Sequence, residues 1–442
     1  MSAPVTAGTL DRAALRRIHE ERLDWRFRAV PAALHGLSLA EAAARGVRLF
    51  DGAAGFLGPF VVLDEPALEH NLRTMADWCA RHGVALAPHG KTTMAPQLFA
   101  RQLDHGAWGI TAATAGQLRV YRAFGVSRIV LANQLVDPAA LHWLAGELDR
   151  DPGFEFCCWV DSVRGAELMT RALTAAGAGR PVDVVLELGA EGGRTGVRDR
   201  ATALSVATAV RDSPALRLAG TGGYEGALAH DAGDAALARV TSYVDELRAL
   251  TLALAERGLL DPARPILVTA GGSAFFDRVA EGITSGWPAG LAVLPVLRSG
   301  AYLTHDDGFY RTVSPLGERP RVAGTPFRPA LLAWAQVTSR PSAELALLTL
   351  GKRDASFDEG LPVPRLHRPQ GAAGAVPLAG HTVTALNDQH AFVALPPGSP
   401  LEVGDWVGLG LSHPCTVFDK WPLLPVVGAD GETVVDLVRT YF

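Results

Sequence analysis

From Gly58 to about Gly300 the chain repeats one unit, a short apolar run followed by a longer amphipathic stretch. Parallel strands cannot be joined by a tight turn and need a crossover, usually a helix, so this alternation predicts strand-helix units. The runs expected to be strands are Phe60–Leu63, Val84–Ala87, Trp108–Ala112, Arg128–Ala132, Phe154–Val160, Asp183–Leu188, Leu216–Gly222 and Pro265–Ala270, with a further one at Ala292–Leu297. Eight or nine such units fit a closed barrel at least as well as an open doubly wound sheet. The chemically distinctive residues favour the barrel. Lys91, Asn133, Asp161, Arg194, Tyr224 and the turn Gly271-Gly272-Ser273 each come just after an apolar run. In a barrel such strand ends converge on one mouth, whereas an open sheet spreads them along a crevice. The fold class read here is α/β, a (β/α)8 TIM-like barrel.

After about Ala301 the texture changes to short apolar or alternating runs separated by Pro and Gly, at Pro329–Arg340, Glu344–Leu350, Val383–Leu386, Ala391–Leu395, Trp406–Leu411 and Thr433–Val438. That pattern predicts a second, mostly antiparallel β domain at the C-terminus. The stretch Gly351–Gly380, rich in Pro, Gly and Arg, reads as a loop excursion of the length that often carries function. Leu10–Leu23 reads as a helix capped by Asp11, and Ser38–Arg45 as another opened by Ser38. The expected organisation is an N-terminal extension over residues 1–50, a barrel over 51–300 and a β domain over 301–442.

With 442 residues, 48% of them hydrophobic, the chain can bury two cores. Lys and Arg number 41 against 46 Asp and Glu, with no basic run, which points away from nucleic acid and membrane partners and toward a small molecule. Residues 1–17 contain no apolar core of signal-peptide length, so a cytoplasmic location is expected. Cys157 and Cys158 are adjacent in an expected strand and face opposite sides, Cys79 lies in a helical pattern, and none suggests a disulfide framework. Cys415, two residues after His413, has a spacing with chemical meaning.

Three places carry chemistry. Lys91 in Ala87-Pro88-His89-Gly90-Lys91-Thr92-Thr93-Met94 stands where an apolar run ends in proline and a helix starts, so its amine either faces a ligand or is a solvated loop lysine. Thr269-Ala270-Gly271-Gly272-Ser273 follows a strand and opens a helix, where successive N–H groups and the Ser273 hydroxyl can surround a phosphate, or simply make a tight turn. In Ser412-His413-Pro414-Cys415 an extended backbone would put imidazole and thiolate on one face. Soft sulfur with imidazole favours zinc, and two ligands would leave open positions, although such a pair can also be incidental.

The lysine flanked by His89 resembles the cofactor lysine of the alanine racemase-like, fold-type III pyridoxal-phosphate enzymes, in the D-serine dehydratase and D-threonine aldolase branch. The form Pro-His-Gly-Lys-Thr-Thr-Met is similar to a bacterial group labelled amino-acid deaminase, and the resemblance runs from about Gly58 to Val438. It implies Lys91 as the Schiff-base lysine with His89 beside the cofactor, Gly271, Gly272 and Ser273 as the phosphate loop, Arg194 at the pyridine nitrogen and Tyr224 near the cofactor. It also implies zinc, or another divalent metal, on His413 and Cys415, with His390 as a further candidate contact, a D-amino acid substrate and a homodimer. The implied reaction converts a D-3-hydroxy amino acid to a 2-oxo acid and ammonia. Retro-aldol cleavage to glycine and an aldehyde is the alternative, and a non-catalytic pyridoxal-phosphate-binding protein the alternative of another class. Cys415 favours dehydration, since the aldolases resemble this chain but carry aspartate there. The chain departs from the family at Ala87 and Thr93, where arginine and histidine are frequent.

Overall fold

The computed structural model describes residues 6–442. Nine strands precede residue 300: β1 Phe60–Asp64, β2 Ala85–Leu86, β3 Ile110–Ala112, β4 Arg128–Gln134, β5 Glu155–Val160, β6 Val182–Leu188, β7 Leu216–Gly223, β8 Ile266–Ala270 and β9 Val293–Leu297. Eight of them, β2 to β9, form one parallel sheet in the order β2-β9-β8-β7-β6-β5-β4-β3. The ends of that order meet through a parallel bridge between His89 and Thr111 and the bond from Trp108 N–H to the Leu86 carbonyl, 2.7 Å, which closes the barrel.

Strand side chains alternate between two environments. Val130, Cys157, Trp159, Val185, Leu267 and Val296 fill the barrel interior, while Cys158, Leu186 and Val268 pack outward with the rest of the main core. Cys157 and Cys158 thus face opposite sides, and all four cysteines are free. The crossover helices have local causes. Glu65–His82 is opened by the Asp64 carboxylate, which accepts from Ala67 N–H, and is stopped by Gly83 in the left-handed region.

The run Phe60–Leu63 is a strand but not a barrel strand, which corrects the expectation. Its residues pair antiparallel with β10, Leu331–Ser342, Phe60 opposite Trp334, and parallel with a strand at Leu423–Val427. The apolar run reports burial on both faces, and that is equally true of a central strand in either sheet. β10 continues through β11 Leu345–Leu348, β12 Val363–Arg368, β13 Val376–Pro377, β14 Thr382–Leu386, β15 Ala391–Ala394, β16 Trp406–Gly410, β17 Leu423–Val427 and β18 Val434–Arg439. With β1 these form a second sheet of ten strands, antiparallel except for the β1–β17 pair. A second correction concerns Gly351–Gly380, which holds β12 and β13 and is a loop only around them.

The N-terminal helices are Arg12–His19, capped by Asp11, and Leu39–Ala44, opened by a reciprocal capping box between Ser38 and Glu41. Between them Arg28 reaches the far end of the chain. Its guanidinium pairs with the buried Asp354 at 2.9 Å, donates to the Lys420 carbonyl at 2.9 Å and lies 3.7 Å over the Trp421 ring. Among the described residues no helix is long and apolar enough to cross a membrane.

Candidate functional site

At the C-terminal ends of the barrel strands a cavity of about 450 Å³ is lined by Arg194, Tyr224, Gly226, Gly272, Ser273, Phe309, Tyr310 and Glu359, among others. Four residues expected from sequence, Arg194, Tyr224, Gly272 and Ser273, therefore meet in one place. Lys91, His89, Gly271, His413 and Cys415 are not part of that lining.

Lys91 sits on the single turn Gly90–Thr92 that follows β2. Gly90 has no room for a side chain, since a Cβ there would lie 2.6 Å from the Tyr121 hydroxyl, so the turn packs hard against β3 and its helix. Lys91 is part-buried, and its amine has no hydrogen-bond or ion-pair partner among the described residues. His89, one residue before the turn, has an enclosed Nδ1 without a partner. Burial first, and then the charges of Arg298, Lys91 and Arg194, hold that imidazole well below its ordinary pKa, so it is neutral. An orphaned imidazole nitrogen beside a free amine is what a bound polar cofactor would complete.

Arg194, on the exposed loop after β6, places its guanidinium 4.9 Å over the Tyr224 ring. The loop is held from beneath, because Asp161 accepts from Gly196 N–H at 3.0 Å. Burial and the neighbouring Glu225 push the Tyr224 phenol up to about 12, so it remains a neutral donor.

The glycine turn differs from expectation. Glu225, fully buried, accepts from Gly271 N–H at 3.0 Å and from Gly272 N–H at 2.7 Å, so those two amides are occupied. The Ser273 hydroxyl accepts from Ala301 N–H at 3.1 Å. The N–H groups of Gly226, Ser273 and Ala274, on residues lining the cavity, donate to no acceptor among the described residues and are the ones open to a phosphate. Gly272 and Ser273 thus line the cavity, while the two glycine amides expected to face a phosphate are taken by Glu225.

His413 and Cys415 do not lie on a strand. His413 has φ +50°, and Cys415 starts the short helix Cys415–Phe418. The bend still brings the two side chains together. Hydrogen bonding to the Cys415 sulfur, then its charge, raises the His413 imidazole to about 9 against burial, with Glu359 and Asp358 acting in the same direction. The His413 Nδ1 lies 2.5 Å from Asp358 Oδ2, which leaves Nε2 for a ligand. Asp306 accepts from the His413 N–H at 3.2 Å, and the Ser412 hydroxyl donates to the Glu359 carbonyl at 2.7 Å, so the strained turn is tied on two sides. The Cys415 sulfur lies 3.4 Å from the Thr92 hydroxyl, which puts the pair against the Lys91 turn. Among the described residues no group of three or more His, Cys, Asp or Glu is arranged around a metal site. The donor chemistry suits a two-ligand site completed by water or substrate, with a carboxylate-oriented histidine and a sulfur that favours zinc.

Several residues escaped the sequence reading. Arg298, 1% exposed, donates to Thr269 Oγ1 at 2.7 Å and to the Gly223 carbonyl at 2.6 Å, with its Nε enclosed and unpartnered. It follows directly on β9, so the strand-end rule that found Lys91 finds it too. Asp358 and Glu359 lie in the excursion flagged as functional, while Glu225 and Tyr310 had no signal in the pattern. His390 is exposed in the hairpin turn between β14 and β15, an ordinary strand-turn position. A second cavity, of about 430 Å³, opens at the opposite barrel end among strand starts. Several of its charges are engaged with one another, Arg128 with Glu155 and both Arg217 and Arg264 with Asp183. Barrel chemistry belongs at the other end.

Comparison with known proteins agrees with this geometry. Residues 63–274 match the family described as alanine racemase, N-terminal domain, and residues 330–427 the putative serine dehydratase domain. The chain is 31% identical over 373 residues to D-threonine aldolase of Arthrobacter sp, covering 84% of this chain and 88% of that protein. It is 27% identical over 316 residues to 3-hydroxy-D-aspartate aldolase of Paracoccus denitrificans, covering 69% and 74%. Among solved structures, D-threonine aldolase from Filomicrobium marinum superposes with a TM-score of 0.74 at 27% identity, covering 89% of this chain and 98% of that one. D-threo-3-hydroxyaspartate dehydratase from Delftia sp. HT23 shares the fold, with a TM-score of 0.66 at 20% identity over 87% and 97%. With a lysine turn, an arginine and a glycine loop gathered at one barrel mouth and a His-x-Cys bend against them, the chain belongs to the alanine racemase-like, fold-type III pyridoxal-phosphate enzymes that include D-threonine aldolase and the D-serine dehydratase-like proteins.

Proposed function

We propose that this enzyme is a pyridoxal-phosphate- and divalent-metal-dependent lyase that converts a D-3-hydroxy amino acid to a 2-oxo acid and ammonia. One observation carries the reading: the Cys415 sulfur of the His413–Cys415 pair sits 3.4 Å from Thr92, the residue after Lys91. A metal on that pair would lie beside the bond-breaking centre rather than at a remote structural position. When bound, pyridoxal phosphate accepts negative charge from Cα, and a metal on His413 and Cys415 acts as a Lewis acid toward a β-hydroxyl.

The protein's own residues do the rest. Lys91 would hold the cofactor, and its Nζ would remove and hold the α-proton. Asp358 fixes the His413 ring. The free N–H groups of Gly226, Ser273 and Ala274 would orient the phosphate, Arg194 would face the pyridine nitrogen, and the Tyr224 phenol supplies a neutral donor. Water leaves across Cα–Cβ, and hydrolysis of the released enamine returns it, so the net products are the 2-oxo acid and ammonia. Two solved variants of D-threo-3-hydroxyaspartate dehydratase replace a histidine and the cysteine two positions later, the cysteine variant being in a metal-free form. The same His-x-Cys spacing here supports a metal role for the pair.

A second reading has its own support, because the 31% identical relative is an aldolase. In it, a base takes the hydroxyl proton and the Cα–Cβ bond breaks to give glycine and an aldehyde. Incubating the cofactor- and zinc-loaded protein with D-threonine and identifying products by mass spectrometry separates the two. 2-Oxobutyrate with ammonia supports the dehydratase, and glycine with acetaldehyde overturns it in favour of the aldolase.

A further inference from the structure

The cavity lining carries one permanent cation, Arg194, and one carboxylate, Glu359. Glu359 is exposed at the rim of the cavity, and its carboxylate has no ion-pair or hydrogen-bond partner among the described residues, while its backbone is fixed by the Ser412 hydroxyl on its carbonyl, 2.7 Å. It directly follows Asp358, whose carboxylate holds His413. Glu359 is therefore anchored at the boundary between the cavity and the His413–Cys415 pair. It lines the cavity with Tyr224 and Tyr310, and the residue that holds its carbonyl, Ser412, directly precedes His413. On the lyase reading the pair serves the β-hydroxyl, which brings the other substituent on Cβ within reach of this boundary.

We propose that Glu359 is the specificity-determining residue for that substituent, excluding a second carboxylate and selecting D-3-hydroxy amino acids with an uncharged side chain. The proposal rests on the lyase reading above for its substrate class. It separates this chain from a relative such as 3-hydroxy-D-aspartate aldolase, whose substrate is dicarboxylic. An unpaired carboxylate facing a second one acts by repulsion, which a site can use as readily as attraction to discriminate.

The test compares wild type and E359Q, a change that keeps shape and removes charge, as holoenzymes. Calorimetric binding of D-aspartate and D-2-aminobutyrate, neither of which has a hydroxyl to lose, gives a Kd ratio independent of turnover. Wild type should bind D-aspartate about three- to fivefold more weakly, and E359Q should remove most of that gap, as expected for one like-charge pair at a solvent-exposed rim. The kcat/KM ratio for 3-hydroxy-D-aspartate over D-threonine should rise in parallel. E359S serves as a second variant with the charge removed by a different shape. An unchanged Kd ratio in both variants, or a wild type that prefers D-aspartate, overturns the proposal. Absence of turnover with every D-3-hydroxy amino acid overturns the lyase reading instead, and the Kd ratio still decides Glu359.

Discussion

Glu225→Gln tests how the mouth of the barrel is held together. The wild-type carboxylate receives two backbone N–H groups, from Gly271 and Gly272, at 3.0 and 2.7 Å, and has no exposed surface. It is also the leading favourable charge for the fully buried Arg298. Glutamine keeps the shape but can turn only one oxygen to the pair, so one N–H faces an NH2 group and is left unsatisfied. A hydrogen bond to a charged group contributes roughly 1.5–3 kcal/mol, and an unsatisfied buried donor costs about 1–3 kcal/mol. With Arg298 also losing its counter-charge, a total of about 3 kcal/mol is a conservative expectation. For a 442-residue chain whose two halves share a strand, that corresponds to a fall of about 3 °C in the thermal transition. Differential scanning calorimetry of wild type and E225Q measures it. A fall below about 2 °C would show that the Gly271-Gly272 turn stands without its carboxylate, and the assignment of which amides remain open to phosphate would have to be redrawn.

Lys91→Ala should abolish both turnover and the visible absorbance of the covalently held cofactor, and retained turnover would remove Lys91 from the chemistry. Asp358→Asn frees the His413 ring and should weaken metal retention by roughly 10–100-fold in chelator competition, as loss of an orienting carboxylate does elsewhere; unchanged retention would detach Asp358 from the pair. Cys415→Asp should shift product from 2-oxobutyrate toward acetaldehyde with D-threonine, and an unchanged product would mean that ligand type does not choose the bond. His305, 3% exposed, has its imidazole lowered to about 4 by burial and then by Arg311. Its unfolded form takes up a proton below about pH 6.5 while the folded form resists until about pH 4. Stability from this group is therefore present above that window and lost as pH falls through it, about 3 kcal/mol at most. His305→Asn, which also suits the φ of +47°, should flatten the urea-midpoint loss between pH 7 and pH 4, and an equally steep loss would refute the assignment.

What could be read before the structure depended on whether a signal was local. Periodicity located the barrel strands and helix caps such as Asp11 and Ser38, because hydrogen bonds to the next turn depend only on neighbours. It could not place Phe60–Leu63, since pairing with Trp334 or Val426 is decided by residues hundreds of positions away. Lys91 and Arg194 were legible as polar residues at strand ends, and Arg298 would have been by the same rule. Glu225 was not, because a carboxylate beside a tyrosine says nothing of two amides 46 and 47 residues later that need an acceptor. His413 and Cys415 were found by spacing and joined by a bend that spacing does not describe.

The placement of β1 also dictates an order of assembly. Phe60–Asp64 leaves the ribosome before any barrel strand, yet its two neighbours, β10 and β17, begin at residues 331 and 423. Through synthesis of the whole barrel this apolar segment has both edges unpaired, the state in which strands recruit the wrong partners. The second sheet is also not a detachable module. A fragment cut after the barrel would keep an orphan strand, and the remaining C-terminal piece would have a gap at its centre. Lineages that exchange or lose one half of this enzyme would have to solve that problem first.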